Sequence, residues 1–167
     1  VGTTALDGVT TGDYNVAIGY NALTGADDTH SSVAIGSNAL AGATANFNVA
    51  IGRRSLMNVA AGERNTALGS YAGDVLTSGG KNVLLGHGAD PSAAAGTEQI
   101  VIGYNATGHG NYIAVIGNGS YTAWHPHDDN EVDLGSSSYE FKDLYVDGVA
   151  YVDALDLNGT TVSATAA

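Results

Sequence analysis

One four-residue block returns along this chain at nearly fixed intervals. Val16-Ala17-Ile18-Gly19 recurs as Val33-Ala34-Ile35-Gly36 and Val49-Ala50-Ile51-Gly52. It continues as Thr66-Ala67-Leu68-Gly69, Val83-Leu84-Leu85-Gly86, Ile100-Val101-Ile102-Gly103 and Ala114-Val115-Ile116-Gly117. The closing glycines are 17, 16, 17, 17, 17 and 14 residues apart. Gly2 lies 17 residues before Gly19, so the chain opens inside a repeat. A unit this short cannot bury a core of its own. It becomes stable only when neighbours stack on it, which restricts the repeat region to a solenoid.

Alignment on the closing glycine brings out further columns. Three residues after it stand small residues: Ala5, Ala22, Ala39, Ser55, Ala72, Ala89, Ala106 and Ser120. Four before it stand Asn15, Ser32, Asn48, Asn65, Asn82 and Gln99. Seven after it stand Val9, Ala26, Ala43, Val59, Leu76 and Ala93, and seven before it Gly12, Gly62, Gly79, Gly96 and Gly110. The block is β-branched and too short for a helix, so it reads as a strand. With period 2, Val16 and Ile18 share one face, and Ala17 and Gly19 share the other. The bare Ala/Gly face is assigned to close packing, within the roll or between chains. Ile51 is expected as a buried ladder side chain. The segments around Val9, Ala26 and Val59 are expected to form a second short strand per repeat. Asn at the fourth position before glycine has two readings: an amide ladder along the stack, or turn chemistry ahead of a strand.

The pattern Asn/Ser-Val-Ala-Ile-Gly-x-x-Ala-Leu (Asn15 to Leu23, Ser32 to Leu40) resembles the head repeat of trimeric autotransporter adhesins, over residues 2 to about 120. That resemblance implies a left-handed parallel β-roll, three copies packed about a threefold axis. The family's unit is nearer ~14 residues, so most repeats here carry an extended outer loop. Further on, Asp133-Leu134-Gly135-Ser136-Ser137-Ser138-Tyr139-Glu140-Phe141-Lys142-Asp143-Leu144-Tyr145-Val146-Asp147-Gly148 resembles a segment common in phage tail fibres. There it lies shortly before an intramolecular chaperone that trimerises the fibre and can cleave itself off. An end at Ala167 suits such a cleavage, and a start at Val1 without Met suits a fragment or processed product. Two regions are therefore expected: a β-roll over 1–121 and a C-terminal tail-fibre β segment over 122–167. In the second, Val149, Tyr151, Leu155 and Leu157 suggest short strands joined by Asp-Gly and Asn-Gly turns. The expected fold class is all-β, a parallel β-roll or solenoid of about seven to eight short rungs, in a homotrimeric fibre.

Charge narrows the partners. Lys plus Arg is 5 and Asp plus Glu is 17, a formal net charge of −12. Nucleic acid and anionic membrane surfaces need clustered cations, so both are excluded as main partners. No apolar run approaches the ~20 residues of a membrane-spanning helix. Cysteine is absent, which removes disulfides and thiolate metal sites. Residues 128–156 hold nine carboxylates against one lysine, while Arg53, Arg54 and Arg64 all sit in the roll.

No catalytic motif stands out. Gly80-Lys81-Asn82 lacks the Ser/Thr and upstream glycine of a phosphate-binding loop. There is no Gly-x-Ser-x-Gly elbow, no His-Glu-x-x-His helix and no Gly-Gly-x-Gly-x-Asp calcium phrase. Asp27 and Asp28 read as a solvated turn. His125 and His127 are the metal candidates, with a linker turn of exposed histidines beside Trp124 as the plainer reading: two imidazoles one residue apart on an extended strand can face the same way. Three chains at an axis would offer six nitrogens to a transition-metal ion, and the tail-fibre resemblance points to iron. Asp128, Asp129, Glu131, Asp133 and Glu140 are the candidates for an acid/base pair, with a solvated acidic turn as the plainer reading. Tyr20, Tyr71 and Tyr104 form an exposed stripe for stacking on sugars or cover grooves between chains, the latter being favoured. His30, His87 and His109 are isolated in the sequence.

The reading that gathers these features is a non-enzymatic, homotrimeric phage tail-fibre segment in the virion. It would present the loops 24–31, 41–47, 57–64 and 74–81 to a host-cell receptor or glycan. The alternatives are the head of a bacterial trimeric autotransporter adhesin at the cell surface, a polysaccharide depolymerase tailspike and, last, an ice- or mineral-binding solenoid.

Overall fold

A computed structural model describes residues 2–25, 28–121, 123–127, 132–150, 154–157 and 160–163. The chain divides into two compact units, Val1–Ala123 and Trp124–Ala167.

The first unit is a parallel β-solenoid. Its strands are β1 (Val16–Ile18), β2 (Val33–Ile35), β3 (Val49–Ile51), β4 (Thr66–Leu68), β5 (Val83–Leu85), β6 (Ile100–Ile102) and β7 (Ala114–Ile116). They form one seven-stranded sheet in chain order. Every block pairs in register with the next, so Ala17, Ala34, Ala50, Ala67, Leu84, Val101 and Val115 form one column. Backbone hydrogen bonds between rungs continue outside the strands. Leu23 N donates to Ala39 O, Leu40 N to Ser55 O and Leu56 N to Ala72 O. Thr44 N donates to Ala60 O, Ala60 N to Thr77 O and Thr77 N to Ala94 O. Much of the expected outer loops is thus laddered into the wall.

The coil closes because each rung bends with positive φ at repeated positions. The closing glycines from Gly19 to Gly103 have φ between 132° and 144°. Five residues before them stand Tyr14, Ser31, Phe47, Arg64, Lys81, Glu98 and Tyr112, with φ between 51° and 63°. Two after them, Asn21, Asn38, Arg54, Tyr71 and Asn105 repeat the left-handed turn. Four after them, Leu6, Leu23, Leu40 and Leu56 do so again. These last bends replace the second strand expected around Val9 and Val59: a residue at φ near +50° turns the chain rather than extending it. The turn carries Leu23, Leu40 and Leu56 into the core, where they are fully buried.

The interior is narrow and takes the small face of the sheet. Ala34, Ala50 and Ala67 are fully buried, as are Ala22, Ala39, Ala72, Ala89 and Ala106. This settles the Ala/Gly face as packing within the roll. It also corrects the reading of Ile51, which lies on the outward face and is only half-buried within the chain. Volume is conserved across the tube. Where Gly73 replaces leucine in the Leu23–Leu40–Leu56 column, the inward strand residue grows from alanine to Leu84. A methyl on Gly73 would meet Leu84 Cδ1 at 2.7 Å and Leu56 Cδ2 at 2.6 Å, so the larger strand residue fills the gap.

In the second unit, β8 (Ala154–Leu157) and β9 (Thr160–Ser163) pair antiparallel, Leu157 opposite Thr160. They flank the Asn-Gly step of the sequence. The described residues 132–150 contain no strand, only an isolated bridge between Ser136 and Tyr139, so the strands expected near Leu144 and Val149 do not form there.

Candidate functional site

Three features of the solenoid bear on function: a buried amide ladder, an outward aliphatic face and a cationic aromatic corner.

The ladder occupies the column four residues before glycine. Ser32 N donates to Asn15 Oδ1 at 3.0 Å and Asn48 N to Ser32 Oγ at 3.2 Å. Asn65 N donates to Asn48 Oδ1 at 2.9 Å, Asn82 N to Asn65 Oδ1 at 3.1 Å and Gln99 N to Asn82 Oδ1 at 3.0 Å. The amide nitrogens Nδ2 of Asn48, Asn65 and Asn82 donate to the carbonyls of Gly62, Gly79 and Gly96, at 2.8, 3.0 and 2.8 Å. Of the two sequence readings, the ladder along the stack holds. It ends at Gln99, whose longer side chain turns to Ser92 and Asn111. Along this column the backbone donors of one rung are matched by side-chain acceptors of the rung before it.

The aliphatic face follows from the alternation. Val16, Val33, Val49, Thr66, Val83, Ile100 and Ala114 form one outward column, and Ile18, Ile35, Ile51, Leu68, Leu85, Ile102 and Ile116 the other. All are half-buried or exposed, Ile18 at 47% and Ile116 at 52%. Six rung spacings of about 4.8 Å make the face roughly 29 Å long. It carries no charged residue.

The corner beside this face holds Arg53 and Arg54. Arg53 Cζ lies 5.1 Å and Arg54 Cζ 5.7 Å from the Tyr71 ring centroid, and Arg53 Nη1 donates to Tyr71 Oη. Tyr71 meets His87 at 5.8 Å, and His87 stacks on Tyr104 at 5.4 Å and 27°. His87, isolated in the sequence, is therefore central to a continuous run over four rungs. Tyr20 lies two rungs away from Arg53 and is not part of it. His30 is also partnered: Asp13 N donates to its Nδ1, and its Nε2 meets Asp28 Oδ1 at 2.8 Å.

Other sequence candidates fall differently. His125 and His127 are exposed, and His125 lines a shallow pocket with Trp124, Pro126, Val132, Asp133 and Leu134. Among the described residues, no group of three or more His, Cys, Asp or Glu side chains is placed to hold a metal ion. Asp27, Asp128, Asp129 and Glu131 lie outside the described residues, and Asp133 and Glu140 are exposed.

Sequence reasoning missed Asp90, although its column gives it away: four residues after the glycine the chain reads Leu23, Leu40, Leu56, Gly73, Asp90, Thr107. Asp90 sits half-buried on the leucine track. Burial first, and the charge of Asp74 second, push its pKa up to about 6, against the opposing pull of backbone amides at 73–75. The folded state therefore holds this proton more tightly than the unfolded chain. Its stabilising contribution is complete below the ordinary carboxylate range and is lost as pH rises through about 6. Asp90→Asn is expected to raise stability at pH 7 by about 1 kcal/mol, after allowance for solvent screening, and to change little at pH 4. Urea unfolding at the two pH values reads the difference.

A comparison with family models, with curated proteins and with solved structures finds no match to this chain.

Proposed function

We propose that this chain is a non-catalytic host-attachment segment of a phage tail fibre, working as a homotrimer in the virion. The observation that supports it most is the uncharged aliphatic face. A continuous apolar patch of this length is larger than scattered surface apolar residues and is suited to burial against another copy. The sequence resemblances supply the rest: the Val-Ala-Ile-Gly repeat favours a threefold rod, and Asp133 to Gly148 favours a fibre over a bacterial surface head. A rod with an internal amide ladder holds three copies of a weak contact at fixed spacing, which converts low affinity into avidity.

Light scattering tests the assembly. The expected mass is three times that of one chain; a single-chain mass removes the trimer. Ile51→Asp sharpens the test because Ile51 is outward in the single chain. The variant is expected to keep the β-sheet circular dichroism of the parent while losing assembly, since a buried carboxylate without a partner costs several kcal/mol. Normal assembly of this variant means that the aliphatic face is not the interface. Binding of the fluorescently labelled chain to a panel of bacterial cells tests attachment.

A further inference from the structure

We propose that Arg53, Arg54, Tyr71, His87 and Tyr104 form a binding platform for a carboxylate-bearing saccharide chain. The inference deepens the attachment reading and rests on it.

Charge is the first argument. The chain has five Lys and Arg against seventeen Asp and Glu. Arg64, Lys81 and Lys142 each have a carboxylate within ion-pair distance, Glu63 at 2.7 Å, Glu98 at 2.8 Å and Asp143 at 3.6 Å. Among the described residues, Arg53 and Arg54 have none. Neutralising them would have been easy for so acidic a chain, yet they stand next to each other on one corner. Arg54 Nε is buried with no hydrogen-bond partner, a cost the fold carries at this corner. Tyr71 packs against both guanidinium groups and fixes where they stand. A guanidinium fork held in this way matches a planar carboxylate in a two-point contact.

Shape is the second. From the arginines the platform runs through Tyr71 and His87 to Tyr104, three rung steps or about 14 Å. Tyr104 is 61% exposed and His87 is exposed as well, so the far end offers accessible aromatic surface. A ligand that fits brings a carboxylate to the arginine end and sugar rings along the aromatic run, which describes an acidic oligosaccharide. A small anion would use only the arginine end. The aliphatic face beside the platform carries no charge, so it suits a core interface while the charged corner stays at the rim, where ligand can reach it.

The test uses the full chain and oligogalacturonate of three to six units, followed by saturation-transfer NMR and calorimetry at 50 mM salt. Neutral malto-oligosaccharide of equal length and inorganic phosphate serve as comparison probes. Oligogalacturonate is expected to bind at least tenfold more tightly than the neutral chain and to weaken at 500 mM salt. Arg53→Gln combined with Arg54→Gln is expected to lower affinity about tenfold or more, and Tyr104→Ala severalfold. Lys81→Gln, which removes an ion-paired cation elsewhere, should leave affinity unchanged. Circular dichroism on each variant separates lost binding from lost fold, and the surface position of Tyr104 supplies a second readout if the arginine pair is not tolerated. Equal binding of the neutral chain, unchanged binding in the arginine variant, or full competition by phosphate overturns the platform. A chain that labels bacterial cells without binding oligogalacturonate overturns the platform and leaves attachment standing. One that binds oligogalacturonate but labels no cell overturns attachment instead.

Discussion

Gly69→Val is expected to unfold the central rungs of the solenoid. Two independent penalties act at this position. Its φ of 144° lies in a region that residues with a Cβ scarcely enter. A Cβ there would also stand well inside van der Waals contact of the Gly86 carbonyl oxygen on the next rung. The same geometry recurs down the column: a Cβ on Gly19 would stand 2.7 Å from the carbonyl carbon of Gly36, and backbone cannot yield as a flexible side chain does. The register that pairs Thr66–Leu68 with Val83–Leu85 depends on that approach. The expected loss exceeds about 4 kcal/mol, the range reserved for combined steric and backbone strain. Thermal melting by circular dichroism should show a lower, broader transition, because rungs contact only their neighbours and a break in the middle divides the stack. Gly119→Ala is the control: a Cβ there meets nothing within 4 Å, so its melting temperature should match the parent. A Gly69→Val protein with the parent's melting curve would mean that the rungs do not stack at this spacing.

Asn65→Ala is expected to cost about 3–5 kcal/mol, the sum of several buried groups left without partners. Asn65 is fully buried and serves both directions of the stack. Its Oδ1 accepts from Asn82 N at 3.1 Å and Asn82 Nδ2 at 2.9 Å. Its Nδ2 donates to Asn48 Oδ1 at 3.1 Å and Gly79 O at 3.0 Å. Alanine keeps the backbone turn and removes all four bonds. Asn65→Ser should cost roughly half as much, because a hydroxyl retains the acceptor for the next rung's N–H, as Ser32 does for Asn48. Urea unfolding gives the ranking, and hydrogen exchange should show the amide of Asn82 losing protection first. Equal stability of the alanine and serine variants would mean that the side-chain acceptor contributes nothing.

Much of this architecture is legible in the sequence. The 17-residue phase places identical residues on adjacent rungs, so the strands, their parallel pairing and the asparagine column all follow from reading Val16, Val33 and Val49 as equivalents. The same phase would have found the cationic corner. Arg53, Tyr71, His87 and Tyr104 are spaced 18, 16 and 17 residues apart, and it was the difference in residue type that hid their adjacency. Asp90 was hidden for a related reason, since a carboxylate in a leucine column looks like the end of the pattern. In the C-terminal unit, Asn158-Gly159 between two alternating segments marked the hairpin, whereas Leu144 to Val149 alternates without forming a strand.

By itself the sequence determined that short strands repeat and must stack, because no unit of 17 residues can hide its apolar side chains alone. Only the tertiary structure decided which face points inward. Alternation makes two faces and does not rank them; hydrophobicity alone favours burying Val49 and Ile51. The left-handed bends at Leu23, Leu40 and Leu56 turn the coil so tightly that these leucines already fill the tube. The space left opposite them admits alanine, so the larger branched residues face outward and the surface chemistry of the rod is set by the radius of its coil.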